Sequence, residues 1–285
     1  MRIAITGGTG NLGMKLATAL SDCDWCEAVT LLDQRPAESR PPKSRFVQCD
    51  LEDATDRRWI EPLAEAEAVV DLAVANLNPL CGWDEAARNV TMTTNIAARL
   101  TPATRRLVMA SSIHALGGYM TRNPVPGALT PETPPLPGTQ FHSHRTLLGP
   151  RFRIATAYGA SKVTAEQSAR ALAHASDGRL SAVTLRIGLI ARGDNHPMRI
   201  HLAKWRGAER HRDWYRKAWL SNRDFTGIAL AALTADAGRW PSPAITINAI
   251  SANAQSPWNI EATERLLGYR PIDDAFEELR RAGVS

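Results

Sequence analysis

The first thirteen residues, Met1 to Gly13, read MRIAITGGTGNLG. Ile3 to Thr6 are a short apolar run rich in β-branched residues, which predicts a buried strand. The run leads straight into Gly7, Gly10 and Gly13 at three-residue spacing, and a helical pattern from Leu12 to Leu20 follows. Strand, glycine turn and helix in this order aim backbone amides and the positive end of a helix at one point, the surroundings that a pyrophosphate needs. Asn11 and Leu12, within the turn, are candidate contacts to the same group. A second β-rich run, Ala28 to Leu32, ends at Asp33, twenty residues beyond Gly13. A carboxylate there accepts hydrogen bonds from ribose hydroxyls and repels a 2′-phosphate, so the turn reads as a site for NAD. Arg35, two residues on, partly offsets that repulsion.

The alternation continues outward from this turn. Phe46 to Cys49 predict a third strand, Ala68 to Leu72 a fourth, Trp83 to Leu100 a helix and Leu107 to Ala110 a fifth strand. Asp50 and Leu51, after the third strand, are placed for the adenine ring. Leu72, Ala73 and Val74, at the end of the fourth, offer a backbone that lies close to the cofactor. A helix from Ala157 to Ser176 and a sixth strand from Ala182 to Ile187 complete an α/β pattern, a doubly wound parallel Rossmann sheet. Residues 117–156 carry Pro124, Pro126, Pro131, Pro134, Pro135, Pro137 and Pro150. So many prolines predict a long surface excursion, read here as a lid. Residues 1–188 are thus expected to form the NAD-binding domain, and 189–285 a small C-terminal substrate lobe, with 244–250 rejoining the sheet.

Composition narrows the function. The chain has 285 residues, of which 44% are hydrophobic and 22% charged, a globular balance that excludes disorder as the main state. No run of eighteen apolar residues occurs and no leader-type pattern opens the chain, so a cytoplasmic protein without a membrane partner is expected. The net charge is +5. Its excess lies between Arg199 and Lys217, where Lys204, Arg206, Arg210, Arg212 and Arg216 interleave with Trp205, Trp214 and Tyr215, and Trp219 follows. Cations beside aromatics can hold a nucleic acid, but the enzyme-like remainder argues against that partner and for a small-molecule substrate. Cys23, Cys26, Cys49 and Cys81 are too scattered for a disulfide framework. No metal is expected: the Cys23 to Cys26 spacing lacks a second pair, and His142 and His144 lack partners at helical spacing.

The strongest constellation is Tyr158, Gly159, Ala160, Ser161, Lys162 on a predicted helix, with Ser112 at the end of strand five. Four-residue spacing puts the phenol and the ammonium on one helix face, a turn apart. An ammonium nearby and a neighbouring oxidised nicotinamide are expected to lower the tyrosine pKa toward working pH, so that Tyr158 can take the proton of a substrate hydroxyl while Ser112 hydrogen-bonds the same oxygen.

With TGGTGNLG, Asp33, Asn89, SSIH at 111–114 and YGASK at 158–162, the chain resembles the extended short-chain dehydrogenases/reductases, the NAD-dependent epimerase/dehydratase family. The resemblance implies a seven-stranded Rossmann sheet, catalytic Ser112, Tyr158 and Lys162, Asn89 near the cofactor, and a homodimer built through a four-helix bundle. Within that family, CDL at 49–51, LRIG at 185–188, WLSNRDF at 219–225 and the ISANAQSPWNIEATERLLGYRP stretch are most similar to uronate dehydrogenases. The resemblance places Asn76, Ser112, Ile113, His114, Leu189 and Arg199 at the substrate. It also marks departures: Ile113, Leu189 and Asn76 stand where uronate dehydrogenases carry Asn, Ser and Ser. Losing two polar contacts argues against a simple hexuronate. The expected activity is hydride transfer between NAD and a carbinol or lactol carbon of a sugar-derived or acidic small molecule. Two alternatives use the same residues: a sugar-nucleotide epimerase or dehydratase that keeps NAD bound, and a biosynthetic ketoreductase. Net NADH change during turnover separates the epimerase from the others.

Overall fold

A computed structural model describes residues 1–146, 149–202 and 209–284. Among these, seven strands form one sheet: β1 (Arg2–Thr6), β2 (Ala28–Asp33), β3 (Ser44–Gln48), β4 (Ala68–Asp71), β5 (Arg106–Ser112), β8 (Ser181–Ile187) and β9 (Ala244–Ala249). Their order is β3-β2-β1-β4-β5-β8-β9, and every neighbouring pair is parallel. Sequence order reverses between β1 and β4, which opens a crevice at their carboxyl ends. The fold is the doubly wound α/β sheet expected from the strand pattern. Burial explains that pattern: β4 and β5 are buried along their whole length, as parallel strands covered on both faces are.

Helices cover both faces. On one face α1 (Asn11–Ser21) packs beside α7 (Asn222–Thr234), and Leu16, Leu20, Phe225 and Ile228 share a core with Ile3, Ile5 and Val29. Residues 220–249 therefore join the same apolar layer as the first helix. On the other face lie α2 (Arg57–Ala64), α3 (Trp83–Ala97) and α4 (Ala157–His174), where Trp59, Leu63, Met92, Ile96, Ala165 and Ala169 pack on Ala4, Val69 and Leu107. A third apolar cluster sits beyond the carboxyl edge. It joins Ile113, Leu116 and Leu129 to α5 (Met198–Leu202), α6 (Glu209–Lys217) and the C-terminal Trp258 and Ala275, the latter the first residue of α8 (Ala275–Arg281).

The excursion expected at 117–156 carries secondary structure of its own. Ile113–Arg122 wind into a 3₁₀ segment, and β6 (Thr139–Thr146) and β7 (Gly149–Ala155) pair as an antiparallel hairpin. Six of the seven prolines precede β6. Pro150 pairs with Arg145 where the register shifts between Ser143 and Arg145, and a two-stranded ribbon has free edges that tolerate a missing amide.

Among the described residues of the basic segment the aromatic side chains, Trp214 and Tyr215, are buried, as is Trp219 just after it. Trp214 lies 4.4 Å from Trp258 between ring centroids, and the Trp219 indole donates to the Asn195 carbonyl at 3.0 Å. Lys204, Trp205 and Arg206 lie outside the described residues, as do the side chains of Arg210, His142 and His144. Among the described residues no helix is long and apolar enough to cross a membrane. The four cysteines are free, and burial raises the thiol pKa of Cys23 and Cys26.

Candidate active site

One cavity of about 800 Å³ follows the crevice from the glycine turn to α4. At its start Gly7, Gly10, Asn11, Leu12 and Gly13 line the wall. A Cβ at Gly13 would stand 2.5 Å from the Gly8 carbonyl oxygen, so only glycine lets α1 begin this close to the turn. Gly10 caps α1 without a side-chain hydrogen bond, which leaves first-turn amides for an anion in the cavity. The Asn11 amide donates to the Ala191 carbonyl at 3.1 Å and ties the turn to the segment after β8.

Asp33 lines the next stretch. Its carboxylate accepts from the Thr9 amide at 3.2 Å and the Arg35 amide at 3.3 Å, which hold it at the rim where an adenine ribose would lie. Leu51, Leu72, Ala73 and Val74 also line the cavity. Asp50 does not: its carboxylate turns aside to accept from Gln34 Nε2 at 3.2 Å and the Glu52 amide at 3.0 Å, as an acid in a turn commonly does. Asn89 is likewise absent from the wall. It is buried, accepts from the Ala75 amide at 2.8 Å and donates to Ser161 Oγ at 3.3 Å, so it joins the loop after β4 to α4.

Ser112, Tyr158 and Lys162 come together at the far end of the cavity. Gly159 allows this approach, because a Cβ there would meet the His114 carbonyl at 2.5 Å. Lys162 Nζ stands 5.9 Å from the Tyr158 ring centroid. The expected lowering of the phenol pKa is not what the protein alone produces. Burial pushes Tyr158 up to about 12, with Cys81 adding to the rise and the Ser112 hydroxyl opposing it. Burial also lowers the Lys162 pKa against the pull of Asp71. Tyr158 is therefore held as a neutral phenol, set to give a proton to a carbonyl oxygen. To act as a base it needs added positive charge beside it.

Several groups that fix this geometry carry weak sequence signals. Asp71, at the last position of β4, is buried and accepts from Thr6 Oγ1 at 2.5 Å. Glu166 lies one turn beyond Lys162. It accepts from Ser111 Oγ at 2.6 Å and meets Arg186 of β8 in a two-pronged pair, both contacts 2.9 Å. The same i,i+4 spacing that linked Tyr158 to Lys162 extends to Glu166 and could have marked it. Phe141 and Tyr215 line the cavity with no warning in the sequence, since β6 and α6 are remote in the chain.

The residues expected at the substrate divide. Ile113, His114 and Leu189 line the cavity. His114 Nδ1 lies 2.7 Å from Thr139 Oγ1, its ring is edge-on to Tyr158 at 5.7 Å, and burial lowers its pKa to about 4, leaving a neutral imidazole. Asn76 turns away and donates to Glu85 Oε1 at 2.7 Å, drawn by a carboxylate on the next helix. Arg199 is exposed and faces Asp194 at 3.7 Å, so water and an acid hold it outside the cavity. Arg192 lines the wall instead.

The chain is 29% identical over 277 residues to an L-arabinose 1-dehydrogenase (NAD(P)(+)) of Haloferax volcanii, covering 96% of this chain and 97% of that protein. It is 26% identical over 281 residues to an NAD-dependent glucose-6-phosphate dehydrogenase of the same organism, covering 96% and 94%. Among solved structures, uronate dehydrogenase from Agrobacterium tumefaciens superposes with a TM-score of 0.68 at 25% identity, over 99% of this chain and 87% of that one. Residues 3–201 match the model of the NAD dependent epimerase/dehydratase family. That match spans the glycine turn, Asp33 and the Ser112, Tyr158 and Lys162 cluster that line one crevice, and the chain belongs to the NAD-dependent epimerase/dehydratase family, with NAD as its cofactor.

Proposed function

We propose that the chain is an oxidoreductase that interconverts a carbinol or lactol and the corresponding carbonyl compound, on a sugar-derived small molecule. The observation that carries the reading is Ser112, Tyr158 and Lys162 gathered on one cavity that begins at the glycine turn. NAD, when bound, supplies the carbon that takes or gives the hydride, and in its oxidised form a positive ring charge. Gly7, Gly10, Gly13 and the open first turn of α1 would hold its diphosphate, Asp33 its adenine ribose, and Leu51 and Leu72 to Val74 its remaining faces.

Tyr158 holds the proton that moves. In reduction its neutral phenol gives that proton to the carbonyl oxygen; in oxidation, with positive charge gathered beside it, the phenolate receives the hydroxyl proton. Ser112 fixes the same substrate oxygen by a hydrogen bond. Lys162 brings an ammonium near the phenol, and Asp71 opposes the lowering of its pKa that burial causes. The sugar dehydrogenase relatives support a sugar-derived substrate.

Tyr158→Phe is the direct test. It removes the proton carrier and leaves the glycine turn untouched, so NADH formation with sugar substrates should vanish while NADH still binds. A variant that keeps turnover would refute the assignment. We further propose that the protein works in the cytoplasm as a homodimer paired through α3 and α4, which lie side by side on one face. Sedimentation of a monomer at micromolar concentration would refute the pairing.

A further inference from the structure

The catalytic end of the cavity differs in character from the cofactor end. Ile113, Phe141, Leu189 and Tyr215 line it, and all four belong to the apolar cluster that also holds Leu116, Trp214 and Trp219. The cavity thus ends on the surface of a hydrophobic core. Three rings face one another there: His114 lies 6.2 Å from Phe141 and 6.4 Å from Tyr215, and Phe141 lies 6.2 Å from Tyr215. Phe141 comes from β6 and Tyr215 from α6, and His211 Nε2 of α6 donates to the Gln140 carbonyl at 2.8 Å, so the two elements hold this wall jointly.

The described arginines on the wall sit elsewhere. Arg35 stands beside Asp33, Arg88 is paired with Glu52 at 2.6 Å, and Arg192 follows Ala191, whose carbonyl is bonded to the glycine turn. Arg35 and Arg88 belong to the cofactor end, and the backbone next to Arg192 is tied to it. A carboxylate set among Ile113, Phe141, Leu189 and Tyr215 would lose its hydration against apolar atoms, whereas an aliphatic group there gains burial. Aromatic faces also pack well on the C–H face of a saturated ring.

We propose that the substrate is a cyclic lactol whose substituent beyond the ring is apolar, a deoxysugar rather than a uronate, with that substituent packed on Phe141 and Tyr215. The inference rests on the sugar-oxidoreductase reading and names its substrate class. Ser112 and Tyr158 take the reacting oxygen, and the aromatic wall selects the substituent on the other carbon that flanks the ring oxygen.

Three sugars that differ only at one carbon test it. D-galacturonate, D-galactose and D-fucose carry carboxylate, hydroxymethyl and methyl on the same ring. Binding of each to the enzyme–NADH complex, measured by saturation-transfer NMR, should rank methyl over hydroxymethyl over carboxylate, with about tenfold or more between the ends. Phe141→Ala and Tyr215→Ala should each shrink that spread; Phe141→Leu and Tyr215→Leu serve if the alanine variants fail to fold. Carboxylate binding best, no member binding, or a spread unchanged in every variant would overturn the proposal. NADH formation with the same sugars and NAD tests the underlying reading separately. The expected binding order without NADH formation would uphold the apolar subsite and overturn the oxidoreductase assignment.

Discussion

Arg186→Leu isolates what holds the catalytic helix in place. The guanidinium and the Glu166 carboxylate have only 3% and 5% of their side-chain surface exposed. Arg186 gives two hydrogen bonds of 2.9 Å to Glu166 and a further one to the Pro131 carbonyl at 3.2 Å. Leucine fills much of the volume but leaves a buried carboxylate with the Ser111 hydroxyl as its described partner. Breaking one side of a buried pair costs about 3–5 kcal/mol. Against a total stability of roughly 5–15 kcal/mol this is a large share, and for a chain of this size it lowers Tm by roughly 6–20 °C. Urea denaturation of the wild type, the single variant and Arg186→Leu/Glu166→Leu forms the test. The double variant removes both charges, so it should be more stable than the single one, because the cost lies in the uncompensated carboxylate. The consequence reaches the site. Tyr158, Lys162 and Glu166 lie a turn apart on α4, and Ser111 adjoins Ser112, so kcat should fall in the single variant. A loss below about 1 kcal/mol in Arg186→Leu, or a double variant weaker than the single one, would refute the idea that this pair clamps α4 to β5 and β8.

His114 should make stability depend on pH. Its folded pKa of about 4 lies below an unfolded value of about 6.5. The neutral ring therefore stabilises fully above about pH 6.5, and that contribution is lost as pH falls toward 4, by on the order of 3 kcal/mol. In His114→Gln, unfolding midpoints measured at pH 7.5 and 4.5 should differ less than in the wild type; an equal difference would remove His114 as the cause. Gly13→Ala pushes a methyl to within 2.5 Å of the Gly8 carbonyl, so the turn must open. NADH titration followed by fluorescence should show an affinity loss of about tenfold or more, and a normal affinity would separate the turn from the cofactor.

Local sequence determined the glycine-turn half of the crevice, because its physics is local. A strand, three glycines and a helix start are neighbours in the chain, Asp33 ends the next strand, and Tyr158 and Lys162 are fixed on one face by helical pitch alone. The turns after strands were harder to read. Asp50 and Asn76 look like site residues by position, yet each found a nearer hydrogen-bond partner, and only the packed chain shows which way such a side chain rotates. Tertiary structure alone decided the substrate end. Phe141 and Tyr215 meet across more than seventy residues of chain, and Arg199 is turned outward by Asp194 although the family likeness places it at the substrate. Spacing records which residues share an element. It carries no record of which distant elements fold over the same carbon, since that depends on how the apolar faces of β6, α6 and the C-terminal segment bury one another.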